Sequence, residues 1–321
     1  MSGKILDRLK HDPQIRHLLQ LLNERMTNSE LQSLLMEVSR HRALKMTPSR
    51  LLNEYRKSRF CNPSEIPQII FNRFDTLAYS LLPGNWHSVD LSPVTPLGTC
   101  TSLSNLSQNR MVATIRHTEV VADSTTTLAL KAALMRKQCL VEEAKSTLTI
   151  HCCSSHRLLR AQRFDEEKFS AHFRVFALVS AGKDTGHSTF EMDHLEKHLR
   201  FYLELCKMLK ILGTAEVHVS DFSGTFNTVL IEELFDRLEG TYRAPRFRQM
   251  NDRTEARSYY TPLAFRIRFT DPSGTAWDIV DGGFSNWTQL LLNNRKERFL
   301  SSAIGSELLF RVFPQTMKPF E

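Results

Sequence analysis

None of the chain's 321 residues lie in an apolar run approaching the roughly 20 needed to span a bilayer, and the N-terminus "MSGKILDRLKHDPQIRHLL" has no apolar segment of signal-peptide length. These absences argue against a membrane span and against secretion, and the expected location is the cytoplasm. The six cysteines, Cys61, Cys100, Cys139, Cys152, Cys153 and Cys206, include no C-x-x-C pair. The adjacent Cys152 and Cys153 suit neither a disulfide scaffold nor a zinc knuckle, so reduced, mostly buried thiols are expected. The sequence also has no internal repeat and no low-complexity tract. What it does have is 41% hydrophobic residues, enough to bury a large core in one large domain or two smaller ones.

The charge is unevenly placed. The net charge is +7, and residues 1–60 hold 12 Lys and Arg against 6 Asp and Glu, leaving 30 against 29 in residues 61–321. The densest stretch, "SRHRALKMTPSRLLNEYRKSR", carries seven basic residues and one acid. Such a patch attracts phosphate-bearing partners such as RNA. Without interleaved aromatics it reads rather as a solvated helix face.

Thr27 and Glu30 in "TNSELQSLLMEV" have capping-box spacing, and Thr47-Pro48 places an N-cap before a proline at the first helical position. The first 60 residues therefore read as three helices, and "FCNPSEIP" breaks the pattern near Cys61 to Ile66. After a helix at about 67–82, short segments rich in β-branched and aromatic residues read as strands: "MVATIR", "STLTIHC", "HFRVFALVS", "AEVHVS", "LAFRIRF" and "AWDIV". Helices are expected at 125–137, 189–212, 227–239, 286–294 and 302–313, the second starting at Ser188-x-x-Glu191 and stopping at Gly213. Irregular alternation of strands and helices points to an α+β sheet rather than a regular β-α-β winding.

Three groups of residues invite chemistry. His194 and His198 stand at i, i+4 in "DHLEKH", but the order is not H-E-x-x-H and no third ligand is signalled, so no metal site is expected and a surface helix with two polar histidines accounts for them. Arg157, Arg160, Gln162 and Arg163 in "SSHRLLRAQRF" suit the bidentate grip of a triphosphate or carboxylate, or surface salt bridging. In "EARSYYTPLAFRIRF", Tyr259 and Tyr260 project to opposite faces of an extended segment, so that one lines a pocket while the other packs. Gly282 and Gly283 in "WDIVDGGFSNW" permit close approach of a backbone or ligand.

In order and spacing these segments resemble the catalytic core of class II aminoacyl-tRNA synthetases from about residue 67 to the end. The similarity is greatest to the histidyl-tRNA synthetase branch, which includes the regulatory subunit of ATP phosphoribosyltransferase. "HRLLRAQ" resembles the motif 2 pattern F-R-Y-E-R-P-Q, and "HFRVFALVSAG" its returning strand. "EARSYYT" resembles R-G-L-D-Y-Y-T, "DGGFSNW" stands where G-G-R-Y-D would, and "SAIGSELLF" where motif 3, A-I-G-L-E-R-L, would. Upstream, "VADSTTTLALKAA" is similar to R-P-E-G-T-A-x-x-x-R-A and "DLSPVTPL" to the proline-bearing motif 1 of the dimer interface. The chain ends a few residues after motif 3, leaving no room there for an anticodon-binding domain. The resemblance implies an α+β fold with a mostly antiparallel class II synthetase-like sheet flanked by helices. A core at residues 65–321 would follow a small basic helical module at residues 1–64.

The departures bear on activity. Where motif 3 has its phosphate-binding arginine stands Leu308, while Glu307 is retained. Motif 2 keeps Arg157 but has Leu159 for its glutamate. The histidyl signature's catalytic arginine falls on Glu255 and its aspartate on Ser258. Its F-H-Q becomes Phe176-Ala177-Leu178, which argues against histidine as the ligand. Asp123 and Thr125 fall where the family contacts the amino-acid substrate, so an amino-group site is implied. By the same resemblance Arg157 clamps an anion and Phe176 stacks a planar ring. Adenylate formation needs positioned cations, and each one lost costs a few kcal/mol, although Arg311, Arg253 and Arg257 stand near enough in sequence to compensate.

Three functions follow as expectations. The first is a synthetase paralogue without standard aminoacylation, binding a small amino-acid-like or nucleotide ligand or regulating a partner, through Asp123, Thr125, Arg157, Arg160, Gln162, Phe176, Tyr259, Tyr260, Gly282, Gly283 and Glu307. The second is an enzyme that uses ATP and Mg²⁺ in a rewired site to activate a carboxylate. The third, compatible with either, is RNA binding through the N-terminal module. The motif 1 resemblance implies a homodimer built on a long strand.

Overall fold

The computed structural model describes residues 2–162, 168–224, 228–250, 253–254, 257 and 259–320. Glu255, Ser258 and Arg163 lie outside the described residues. The strands are β1 (Trp86–Ser88), β2 (Val94–Pro96), β3 (Thr118–Val120), β4 (Ile150–Leu159), β5 (His172–Lys183), β6 (Ala215–Asp221), β7 (Arg246–Gln249), β8 (Leu263–Thr270), β9 (Ala276–Ser285) and β10 (Glu297–Ile304). The α-helices are α1 (Ser2–Leu9), α2 (Pro13–Gln20), α3 (Asn28–Ala43), α4 (Pro48–Lys57), α5 (Gln68–Ser80), α6 (Thr99–Ser104), α7 (Ser124–Glu142), α8 (Thr189–Met208), α9 (Thr228–Glu239), α10 (Trp287–Leu292) and α11 (Ser306–Val312).

The N-terminal 60 residues form four α-helices, not three. Thr27 caps α3 in a reciprocal box, its hydroxyl accepting from the Glu30 amide at 3.3 Å while the Glu30 carboxylate accepts from the Thr27 amide at 2.8 Å. Thr47 caps α4, with Pro48 at the first helical position. No residue of α2, α3 or α4 is buried, and Leu44 and Leu52 are 80% and 71% exposed. The segment that follows is fastened to the β4–β5 end. Arg59 donates to the Gln162 and Ala161 carbonyls at 2.9 and 2.5 Å, and the Ser64 hydroxyl to Glu307 at 2.7 Å.

Among the described residues eight strands form one sheet in the order β1-β4-β5-β10-β9-β8-β6-β7, and β2 pairs with β3 separately. The expected mostly antiparallel sheet is instead mixed. Its interior pairings are antiparallel, but β1–β4 and β6–β7 run parallel at the two sides. Parallel neighbours need crossover connections. Here α9 lies between β6 and β7, and β2, β3, α6 and α7 lie between β1 and β4. Hydrophobic patterning fixes which residues are strands but carries no direction. "MVATIR" is not a strand, making only an isolated bridge at Ala113, and the motif 1 region supplies only the three-residue β2 rather than a long strand.

Each face of the sheet has its own core. Along β5, Phe176 and Leu178 pack toward α5 and α8, whereas Ala177, Val179 and Ala181 pack toward α7 and α10 with Leu128, Ala132, Trp287 and Phe299. The α8 face holds a polar chain. His151 Nδ1 lies 2.8 Å from Ser180 Oγ, which lies 2.9 Å from His198 Nε2; His198 Nδ1 reaches Ser302 Oγ at 2.8 Å, and Tyr202 reaches that same hydroxyl at 2.8 Å. His194 and His198 are thus buried, not surface residues, because α8 turns them onto the sheet beneath. Burial, with the Lys197 charge second, holds His194 down to about 3. It likewise holds His151 down to about 4 and keeps His198 well below the usual imidazole range. Ser188 does not cap α8: it adopts a left-handed φ of 56° without a side-chain cap bond, and the Glu191 carboxylate accepts from Arg298 at 2.9 Å. Among the described residues no helix is long and apolar enough to cross a membrane.

Candidate functional site

A cavity of about 530 Å³ opens on the α7 face of the sheet. Its walls come from the start of α7, the segment around Tyr259 and Tyr260, the outer ends of β4 and β5, and Asp281 and Ala303 on β9 and β10. Asp123 sits where α7 begins and caps it, accepting from the Thr125 amide at 2.9 Å. The same oxygen accepts from the Thr125 hydroxyl at 2.7 Å, and the other accepts from the Tyr259 hydroxyl at 2.6 Å. Thr125 Oγ1 and Tyr259 Oη are 2.8 Å apart, so three residues from two distant segments close one polar cluster. Burial and then the Asp123 charge push the Tyr259 hydroxyl far above the usual phenol range; burial, Asp281 and Asp123 do the same to Tyr260. Both phenols are therefore neutral donors at physiological pH.

Gly283 makes room for that wall. A Cβ there would stand 2.7 Å from the Tyr260 ring and 2.8 Å from the Leu263 carbonyl, so the ring lies directly on the strand. Gly282 faces the other side, where a Cβ would meet Phe265 and Ser302 at 2.5 Å. The close approaches at this glycine pair are made by the protein's own side chains and by the Leu263 carbonyl.

On β9, Asp281 Oδ1 accepts from Nη2 of buried Arg253 at 2.8 Å, yet 45% of its side chain remains accessible. That exposure is to the lumen: protein surrounds the carboxyl, and the resulting desolvation outweighs Arg253 and raises it to about 6. Arg160 lines the same cavity, its Nε donating to the Ala122 carbonyl at 2.9 Å and its guanidinium lying 5.2 Å from the Phe173 ring centre. Lys168 and Arg311 add positive charge to the walls.

The structure brings together Asp123, Thr125, Arg160, Tyr259, Tyr260 and Gly283 of the expected site residues. Both tyrosines face the cavity, because the segment carrying them precedes β8 and does not alternate as a strand would. Arg157 points to the opposite side. It donates to Glu307 at 2.8 Å, contacts His172 Nδ1 at 3.0 Å, and sits 5.5 Å from the centre of the Phe71 ring on α5. Glu307 borders the cavity but is 1% exposed and fully engaged by Arg157, Arg311 and Ser64. Phe176 is fully buried on the α8 face, its ring 5.0 Å from Tyr79 and 5.6 Å from Phe201, so it stacks on the core rather than on a ligand. The aromatic of the returning strand that borders the cavity is Phe173, which lies on the opposite face because an odd spacing along a strand reverses sides. Gln162 offers its carbonyl to Arg59 and does not line the cavity. Sequence reading missed Asp281 and Phe173; the alternation of β5 that puts Ala177 and Val179 toward α7 was the available signal for Phe173. Among the described residues no group of three or more His, Cys, Asp or Glu side chains is placed to hold a metal ion.

The mixed sheet, its flanking helices and a cavity at the start of α7 define a class II aminoacyl-tRNA synthetase-like fold. Among solved structures similar to it is apo histidyl-tRNA synthetase from S. aureus, at TM-score 0.57 and 12% identity over 77% of this chain and 65% of that one. A Cryptosporidium parvum chain described as the RNA binding domain of threonyl-tRNA synthetase matches at TM-score 0.57 and 12% identity, over 78% of this chain and 64% of that one. An ATP phosphoribosyltransferase regulatory subunit/histidyl-tRNA synthetase from Bacillus halodurans matches at 0.55 and 12%, over 80% and 83%. The chain thus spans less than two thirds of the two synthetase chains. No protein-family model and no curated protein matches the sequence.

Proposed function

We propose that the chain is a class II synthetase paralogue that binds a small amino-acid-like ligand in the α7-side cavity and does not carry out standard aminoacylation. The observation that carries this reading is the Arg157–Glu307 pair. The arginine that the motif 2 resemblance assigns to the nucleotide is engaged inside the protein, and the carboxylate of motif 3 is its partner. Leu308, at the position of the motif 3 arginine, lines the cavity as an apolar side chain. The Asp123–Thr125–Tyr259 cluster supports an amino group as the feature recognised, since an ionised carboxylate has about four acceptor sites and Oδ2 of Asp123 receives one bond. The likeness to a chain described as a regulatory subunit supports regulation of a partner enzyme as the outcome of binding.

A second reading, an ATP-dependent carboxylate-activating ligase with a rewired site, is favoured by Arg160, Lys168 and Arg311 on the cavity walls. Calorimetry with ATP and Mg²⁺ followed by pyrophosphate exchange across a panel of amino acids separates the two. The first reading expects binding of an amino acid without exchange, and sustained exchange with any amino acid overturns it. RNA binding by residues 1–64 and homodimerisation are separate proposals, tested by filter binding at two salt concentrations and by sedimentation.

A further inference from the structure

Among the described residues four carboxylates border the cavity; Asp278 and Glu307 are held by arginines, and Asp123 is bonded to neutral hydroxyls and an amide and keeps acceptor capacity. Asp123 takes Thr125 and Tyr259, Asp278 takes Arg266 and Arg268, and Glu307 takes Arg157, Arg311 and Ser64. Asp281 differs. Among the described residues its one side-chain donor is Arg253, on Oδ1, and nearly half of its side chain is open to the lumen although protein encloses it. A carboxylate so placed is partly desolvated and retains acceptor capacity directed at whatever enters.

We infer that Asp281 is a specificity-determining residue and that the cavity selects an amino acid whose side chain ends in a cation, of the lysine or ornithine class. This rests on the cavity being the amino-acid site proposed above. Asp123 and Asp281 are separate acceptors within electrostatic reach of one phenol, since both raise the Tyr260 hydroxyl. Two acidic points in one cavity match a ligand with two positive groups. The surface offered by Leu158, Val175 and Ala303 is aliphatic and suits a methylene chain. An ammonium group at Asp281 makes a charge-assisted hydrogen bond and relieves the desolvation that otherwise raises that carboxyl to about 6. A neutral side chain of equal length fills the same volume but adds no donor to the Arg253 bond that the carboxylate already has.

The test is calorimetric titration near neutral pH with lysine, ornithine and norleucine, on the unaltered protein and on Asp281→Asn. Lysine or ornithine is expected to bind at least about tenfold more tightly than norleucine, which corresponds to about 1.4 kcal/mol. Asp281→Asn is expected to remove that advantage while leaving norleucine affinity within about twofold. Norleucine binding as tightly as lysine, or an unchanged lysine preference in Asp281→Asn, overturns the inference and leaves the site reading intact. Absence of binding by all three overturns the inference, and absence of binding across the whole amino-acid panel overturns the site reading as well. The comparison of ligands uses the unaltered chain, so it decides the matter even where loss of the Arg253 partner unfolds the variant.

Discussion

The guanidinium of Arg157 donates from Nη1 to Oε2 of Glu307 at 2.8 Å, joining β4 to the start of α11 across 150 positions of sequence. Glu307 is enclosed, whereas a third of the arginine side chain meets solvent. Removing the arginine leaves a buried carboxylate with Arg311 and Ser64 as its remaining donors. Arg157→Ala should therefore lower stability by about 1–3 kcal/mol, less than for a fully buried pair, without changing amino-acid affinity of the folded protein. A urea melt paired with a titration checks this. Weakened binding at unchanged stability would restore Arg157 to the role of ligand clamp.

A larger effect is expected at Arg136 and Glu297, where both side chains are wholly buried. Arg136 donates from Nε and Nη2 to the two carboxylate oxygens at 3.0 and 2.9 Å, and from Nη1 to the Leu148 carbonyl at 2.6 Å. Arg136→Met alone strands the carboxylate and should cost about 3–5 kcal/mol, while Arg136→Met with Glu297→Leu should recover much of it. A double-mutant cycle in urea reads the difference, and equal losses in the single and double variants would refute it.

Acid should destabilise the protein through the histidines beneath α8. The unfolded chain protonates them near 6.5, whereas burial holds folded His151 to about 4 and His194 to about 3. As pH falls below about 6.5 the unfolded state takes up protons that the folded state does not, so stability declines until the folded values are reached. Each such histidine contributes up to about 1.4 kcal/mol per pH unit. Asp281 works in the opposite sense: with a folded pKa of about 6 against 3.8, it binds its proton first in the folded state and offsets part of the loss. Urea midpoints should still fall steeply from about pH 6.5 to 5, and His194→Gln should flatten that slope. A slope unaffected by His194→Gln would show that other groups control acid sensitivity.

Gly283→Ala should damage the cavity wall directly. With the Tyr260 ring 2.7 Å and the Leu263 carbonyl 2.8 Å from the new Cβ, the ring must shift, at a cost of about 1–3 kcal/mol. Ligand affinity should fall alongside stability. An unperturbed melting temperature would mean that the ring has space to move.

Two of the three capping signals in the sequence hold, the exception being Ser188, whose box partner Glu191 is taken by Arg298. Thr27 with Glu30, and Thr47 with Pro48, cap their helices because such bonds close within one turn and owe nothing to distant residues. The residues bracketing the cavity, Asp123 and the Tyr259–Tyr260 pair, were recoverable by resemblance. Side-chain facing was harder. Phe176 and Arg157 lie on the face away from the cavity, and a phase error of one residue in a strand is enough to reverse that assignment. β10 was hidden for a different reason: Ser301 and Ser302 sit buried in mid-strand, where Ser302 serves His198 and Tyr202, so the segment lacks an apolar alternation. The burial of His194 and His198 was invisible because the partners, on β5 and β10, are supplied only by the sheet.

The strands at the two ends of the eight-stranded order are β1, with three residues, and β7, with four, the latter carrying Arg246 and Arg248. Rims so short, and one of them cationic, offer little template on which another chain's backbone could dock. The sheet is therefore guarded against runaway edge-to-edge pairing. Association between copies of this chain is expected to use surfaces other than the two rims of this sheet.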